Sequence, residues 1–326
     1  MSPMHRMIEK YAGLIKTELN TIWPQLPEPR SLYEPIFYTL EAGGKRMRPV
    51  LLLATCDFYG GNASDAAKAA CGIELFHNFT LLHDDIMDNA DLRRGRQTVF
   101  KRNGLNTAIL SGDLMMIKVY QLLAQMPAHL LGDVLGKFND MAVKVCEGQQ
   151  IDAEFEQRNN VSIDEYLLMI KYKTAVLPAA AMQIGAICGG APETEAQKFY
   201  DFGIQIGTAF QIKDDWLDVF GNPEETGKVR AGDIVAGKKS LPILLTLSCL
   251  NEKDQHDFLE ILHGSSEDKV DRILDIMNDL KISQMTEQWA EKYFKMALQS
   301  LDSVIGDDAK KNFFREFADS LMVRKN

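Results

Sequence analysis

No two cysteines of the 326-residue chain stand at C-x-x-C spacing; Cys56, Cys71, Cys146, Cys188 and Cys249 are scattered. That excludes a sequence-readable zinc cage or redox dithiol and fits reduced, mostly buried cysteines of a cytosolic protein. The six histidines form no metal-ligand array either. Positive charge is in deficit: 36 Lys and Arg against 46 Asp and Glu leave −10, which argues against nucleic acid or an anionic membrane surface as a partner. Long apolar runs are missing too. The nearest, AVLPAAAMQIGAICGGAP from Ala175 to Pro192, is interrupted by Pro178, Gln183 and Gly185, and a membrane span needs roughly 20 apolar residues. It reads instead as a small-residue helix of the interior, where close helix approach or a cavity is wanted. The N-terminal MSPMHRMIEKYAGLIKTELN reads as an amphipathic helix and not a signal peptide, because Glu9, Lys10, Lys16 and Glu18 interrupt it.

Also lacking are any alternating strand run long enough to seed a sheet, any short-period repeat and any Pro/Ser/Gly linker. Helical periodicity fills the space. In LNTAILSGDLMMIKVYQLLAQM (Leu105 to Met126), SIDEYLLMIKYKTAVLPAAAMQIGAI and AQKFYDFGIQIGTAFQIKDDWLDVFG, apolar residues recur at three- and four-residue steps. Ser162 and Glu165 form a capping box that starts a helix. Breaks fall at Gly43-Gly44, Gly60-Gly61, Gly189-Gly190 and Asn222-Pro223. The expectation is one all-α domain, residues 1–326, a helical bundle of about a dozen helices. From about Asn251 to Asn326 the helices carry no nameable chemistry except the basic end Arg324-Lys325.

Against this background one stretch stands out. LLHDDIMDNADLRRGRQT packs Asp84, Asp85 and Asp88 behind an apolar run and follows them with Arg93, Arg94 and Arg96. On a helix Asp84 and Asp88 share a face, with Asp85 turned about 100° away. Like charges at that spacing cost a few tenths of a kcal/mol. The apolar flank (Leu75, Phe76, Phe79, Leu81, Leu82, Ile86) turns the segment toward the core, so the aspartates face a cavity or cleft. A second copy, Asp214, Asp215 and Asp218, has the same spacing and the same apolar flank. Two such helices with their carboxylates pointed at each other form a hard-oxygen cage suited to Mg²⁺, which fills its shell with water and phosphate oxygens. Cations for a polyphosphate are at hand in Gly43-Gly44-Lys45-Arg46-Met47-Arg48-Pro49, in Arg93-Arg94 and in Lys173, Lys228 and Lys238. GGKRMRP lacks the P-loop spacing, so nucleotide hydrolysis is poorly supported.

Taken in order, GGKRMRP, DDIMD with RRG, GQQID, YKT, FQIKDDWLD and GKKSLP resemble the trans-type polyprenyl diphosphate synthases, from about Gly43 to Pro242. The resemblance implies an all-α bundle around a central elongation cavity, usually a homodimer. It also implies condensation of isopentenyl diphosphate with an allylic diphosphate, aided by three Mg²⁺. Asp84, Asp88, Asp214 and Asp218 match the metal ligands, with Asp85, Asp152, Asp215 and Gln149 behind them. Arg93, Lys173, Lys228 and Lys238 match the allylic-diphosphate positions, and Lys45, Arg48, His77 and Arg94 the isopentenyl-diphosphate positions. Thr174, Gln211 and the Lys173 carbonyl match groups that face the reacting carbons. Ser240 stands where the family pattern has threonine and keeps the hydroxyl.

Phe79, five residues before Asp84, and Phe76, eight before, would share a helical face and form a shallow floor for the growing chain. With Thr80 beside them they resemble short-chain synthases, geranylgeranyl diphosphate being favoured and farnesyl diphosphate next. The alternatives are a longer-chain synthase, a terpene cyclase or head-to-head condensing enzyme, and a non-catalytic partner subunit. An isopentenyl-type cation set argues against the cyclase, and two intact aspartate motifs argue against the silent subunit.

Overall fold

The computed structural model describes residues 3–22, 26–222 and 230–323. Its elements are almost all helices, so the fold is all-α. The chain divides into two compact units: Met1–Asp140 with Ala180–Phe199 and Gly306–Phe313, and Met141–Ala179 with Tyr200–Ile305 and Phe314–Asn326. No described helix is long and apolar enough to cross a membrane.

In the first unit α1 (Pro3–Ile22), α2 (Arg30–Glu41) and α3 (Met47–Phe58) precede the long α4 (Ala63–Met87). Asn62 caps α4 by accepting from the Ser64 amide at 3.1 Å. That helix is apolar on nearly every side over Ala66 to Phe76 because neighbours cover it all round. Burying each Leu, Ile or Phe there is worth about 1.5–3 kcal/mol. Then come α5 (Val99–Asn103), α6 (Leu105–Leu123) and α7 (Ala128–Glu156). Gly72 of α4 lies 3.5 Å from Val119 of α6, measured from where a Cβ would sit.

The small-residue run belongs to α9 (Val176–Cys188), and its purpose is close approach. A Cβ on Gly185 would strike the Leu52 carbonyl oxygen of α3, and one on Gly189 would lie 2.7 Å from that of Cys56. The only strands among the described residues are β1 (Leu92–Arg93) and β2 (Arg96–Gln97), an antiparallel ladder too short to leave a period in the sequence. Cys56, Cys71 and Cys188 are buried, but Cys146 and Cys249 are exposed, and all five are free thiols.

In the second unit the expected capping box is present. Ser162 and Glu165 exchange hydrogen bonds at the start of α8 (Ile163–Ile170). A π-helical turn, Lys171–Ala175, follows. Next come α10 (Glu193–Phe220), α11 (Gly232–Ala236) and α12 (Leu241–Cys249), then α13 (Glu252–His263), α14 (Lys269–Asp279), α15 (Ile282–Ser303) and α16 (Asp308–Met322). The unit's core gathers Phe155, Tyr166, Ile212, Leu241, Ile273 and Ala290 among others.

Candidate active site

Both aspartate motifs end a helix. Asp84 and Asp85 close α4, Asp88 is its C-cap, and Asp214 to Asp218 lie in the last two turns of α10. In the last turn of each helix, where Asp84, Asp85 and Asp218 lie, a carboxylate opposes the helix dipole at a cost of about 0.3–1 kcal/mol. Neither position is chosen for stability, and both favour a cation. Among the described residues no three Asp, Glu, His or Cys side chains form an all-protein cage. A donor set of a few carboxylates still fits Mg²⁺, which binds through one or two carboxylates plus water and phosphate oxygens.

The first unit gathers its cations around α3 and α4. Gly43 (φ 75°) and Gly44 (φ 139°) turn the chain into Arg46, which caps α3 in a left-handed conformation (φ 46°). A Cβ on Gly44 would lie 2.9 Å from Arg94 Nη1, so the glycine admits that guanidinium to the loop. Lys45 and Arg94 are exposed, whereas the Arg48 guanidinium is enclosed and its Nε has no partner. Enclosure lowers the Arg48 pKa, an effect opposed by the nearby Glu74 carboxylate and reinforced by Arg94. Burial, then Arg48, Arg94 and Arg93, push the His77 pKa well below its ordinary range.

Glu74 was not singled out by the sequence; it is 7% exposed and accepts from Asn78 Nδ2 at 3.2 Å. Burial raises its pKa, against the pull of Arg48.

Arg93 does have protein partners. Its guanidinium donates to Asp85 Oδ1 at 2.6 Å and to Asp84 Oδ2 at 3.2 Å. The arginine that follows the motif is therefore held by it, with Asp85, 6% exposed, as the main anchor. Burial nonetheless raises the Asp85 pKa above its ordinary value. Upstream, Phe76 and Phe79 do share a face, with ring centroids 5.7 Å apart. Phe76 also meets Phe138 of α7 edge-on at 5.3 Å, a contact no local pattern announces.

The second unit arranges polar groups in a chain. Thr174 Oγ1 donates to Gln211 Oε1 at 3.2 Å, and Gln211 Nε2 donates to Asp215 Oδ1 at 3.0 Å. Asp215 Oδ2 accepts from Tyr166 Oη at 2.6 Å and from the Leu241 amide at 3.1 Å. Leu241 is the first residue of α12, so Asp215 satisfies one of the N–H groups a helix start leaves open. Burial lifts its pKa to about 6 despite these donors. Asp218 Oδ1 accepts from the Asp233 amide at 2.7 Å. Asp233, a further, half-buried carboxylate, is pushed to about 7 by desolvation and then by Asp215 and Asp218.

Lys173 sits in the π turn and pairs with Asp152 at 2.5 Å. The turn is closed by the Val176 amide donating to the Lys171 carbonyl, the wide π spacing. Gly148 makes this possible, since a Cβ there would collide with the Lys173 amide nitrogen. Gln149 is half-buried and Lys238 exposed. Lys228 and Arg324-Lys325 lie outside the described residues.

The sequence signal for Gly148 was the motif glycine itself. Tyr166 had none, being 49 residues from its partner.

The polyprenyl synthetase family model matches residues 29–280. The chain is 38% identical to the geranylgeranyl diphosphate synthase of Sulfolobus acidocaldarius over 279 residues, 84% of each chain. It is 37% identical to the short chain isoprenyl diphosphate synthase of Methanothermobacter thermautotrophicus, covering 87% of each. The solved geranylgeranyl pyrophosphate synthetase of Pyrococcus horikoshii superposes with a TM-score of 0.92 at 33% identity over 98% of both chains. With both aspartate motifs and the cation loop inside the matched region, the chain belongs to the polyprenyl synthetase family.

Proposed function

We propose that this prenyltransferase joins isopentenyl diphosphate head to tail (1′-4) to an allylic diphosphate, giving an all-trans short-chain prenyl diphosphate and diphosphate. Geranylgeranyl diphosphate is the favoured product and farnesyl diphosphate the next. One observation carries the reading: a family match that spans both helix-terminal aspartate motifs also spans a separate cation cluster. Two motifs for metal and a second cation set suit two diphosphates.

Asp84, Asp88, Asp214 and Asp218 would hold Mg²⁺, with Asp85, Asp152, Asp215 and Gln149 supporting them. Bound there, the metal offsets the charge that grows on the allylic diphosphate as its C–O bond ionises. Arg93 and Lys173, now on Asp85 and Asp152, have donors to turn toward that diphosphate, and Lys228 and Lys238 add charge. Lys45, Arg48, Arg94 and His77 hold isopentenyl diphosphate.

Thr174 donates its proton to Gln211, which leaves the hydroxyl lone pairs to face an allylic cation. With the Lys173 carbonyl they stabilise it as dipoles and do not capture it. The isopentenyl double bond attacks, and the proton lost passes to the departing diphosphate. Water must be excluded throughout, since it would quench the cation. Phe76 and Phe79 form the floor that stops growth.

Residues 1–326 act as one catalytic domain in a cytoplasmic homodimer. The exposed Leu110, Ile117 and Tyr120 on α6 suit a subunit face. Incubation with labelled isopentenyl diphosphate, Mg²⁺ and dimethylallyl, geranyl or farnesyl diphosphate tests the function. A twenty-carbon product is expected, and no elongation from any starter would refute the reading.

A further inference from the structure

The hairpin that carries Arg93 and Arg94 has little of its own to hold it. Its ladder is two residues per strand, far below what stands alone in water. Its turn puts Arg94 at φ 53° and Gly95 at φ 74°, a left-handed pair that is costly for arginine. Leu92 is 62% exposed, and Arg94, Gly95 and Gln97 are exposed as well. Behind the hairpin lies a cavity of about 30 Å³ bordered by Tyr38, Asn78, Asp85 and Arg94, so tight packing does not fix it from below.

Three ties remain. Arg93 binds Asp85 and Asp84. Thr98, at the base, donates through its hydroxyl to the Ala90 carbonyl at 2.8 Å and through its amide to that of Asp91 at 3.0 Å. The third is Tyr38 of α2. Its hydroxyl donates to the Gln97 carbonyl at 2.8 Å, and its ring carries the guanidinium groups of Arg96 at 4.0 Å and Arg102 at 4.4 Å from the centroid. One ring thus joins α2, β2 and α5.

Under the proposed function, on which this inference rests, Arg93 gives up its carboxylates when it turns to a diphosphate. The Thr98 tie secures the base and not the turn. What then keeps the turn in place, with Arg94 against Gly44, is the Tyr38 ring. We propose that Tyr38 is a positioning residue of the isopentenyl diphosphate site, clamping the hairpin through Arg96 and Arg102. A surface cation–π cluster that only stabilised the fold would act on both substrates alike.

Steady-state condensation with Tyr38→Leu, Tyr38→Phe and Arg102→Met decides. Tyr38→Leu is expected to raise KM for isopentenyl diphosphate about tenfold, with kcat within about threefold and the allylic KM within about twofold. Tyr38→Phe keeps the ring and is expected to stay within about threefold of wild type. Should Tyr38→Leu fail to fold, Arg102→Met at the surface removes one cation, with an expected rise of about threefold in the same KM. An unchanged isopentenyl KM in the variants that fold, or equal rises for both substrates, would overturn the proposal. A wild-type enzyme that elongates nothing would sink the proposed function instead. Calorimetric binding of inorganic pyrophosphate to wild type and Tyr38→Leu would still judge the clamp, weaker binding supporting it and equal binding contradicting it.

Discussion

The two aspartate motifs share a spacing and a helix end, yet they fasten their middle carboxylates differently. Asp85 is anchored by a cation, Arg93, at 2.6 Å. Asp215 is anchored by neutral donors: Tyr166, Gln211 and the Leu241 amide. The first motif therefore carries its own counter-charge and can lend it to a ligand. The second is a rigid frame whose donors fix Gln211 and, through it, Thr174. One motif is paired with a cation, the other with a chain of neutral dipoles.

The largest expected effect comes from removing one proposed metal ligand from each motif. Asp88→Asn and Asp214→Asn are each expected to lower kcat by about 10²–10³-fold. Because Asp88 opposes a helix dipole at the end of α4, the Tm of Asp88→Asn should fall by no more than about 2 °C. A large loss of Tm in either would mean that the motif is structural.

Next comes the frame around Lys173. Gly148→Ala forces a Cβ into the Lys173 backbone and is expected to cost about 1–3 kcal/mol with a parallel loss of kcat. Gly132→Ala, on the same helix but with open space around it, should be neutral or stabilising by up to about 1 kcal/mol. Denaturant unfolding of the pair separates close approach from helix propensity.

Tyr166→Phe probes the neutral anchoring alone. It leaves Asp215 Oδ2 with the Leu241 amide and is expected to cost about 1–2 kcal/mol and roughly tenfold in kcat. An unchanged kcat would show that the chain from Tyr166 to Thr174 does not reach the reaction. The gentlest change in rate is Phe79→Ala, which should lengthen the product while turnover stays within about threefold. Chromatographic sizing of the product checks it, and an unchanged length would remove Phe79 from the floor.

Much of this was legible before any coordinates. Period-3.6 patterning marked the helices, Ser162 with Glu165 marked a start that the structure reproduces, and Asp84 and Asp88 do share a helical end. The small residues of the run from Ala175 to Pro192 point to close helix approach or a cavity, and Gly185 and Gly189 meet α3 backbone. What stayed hidden depends on long-range partners. Tyr166 finds Asp215 across 49 residues, Tyr38 finds Gln97 across 59, and nothing local marks either. The sequence also presents Arg93 as a cation available to a polyphosphate, yet Arg93 is held by the aspartates it follows. A guanidinium near two carboxylates pairs with them until a stronger anion arrives. The π turn is likewise invisible to periodicity, because five residues at a wider pitch hardly change the apolar pattern.

In the proposed reaction two diphosphates are gripped by different chemistry, one through carboxylate-bound metal and one through side-chain cations. Calorimetric titration of isopentenyl diphosphate and of an unreactive allylic thiolodiphosphate, each with and without Mg²⁺, tests it most directly. Removing Mg²⁺ is expected to weaken the allylic analogue by more than about 100-fold and isopentenyl diphosphate by less than about threefold. Equal loss for both ligands, or no loss for either, would contradict it.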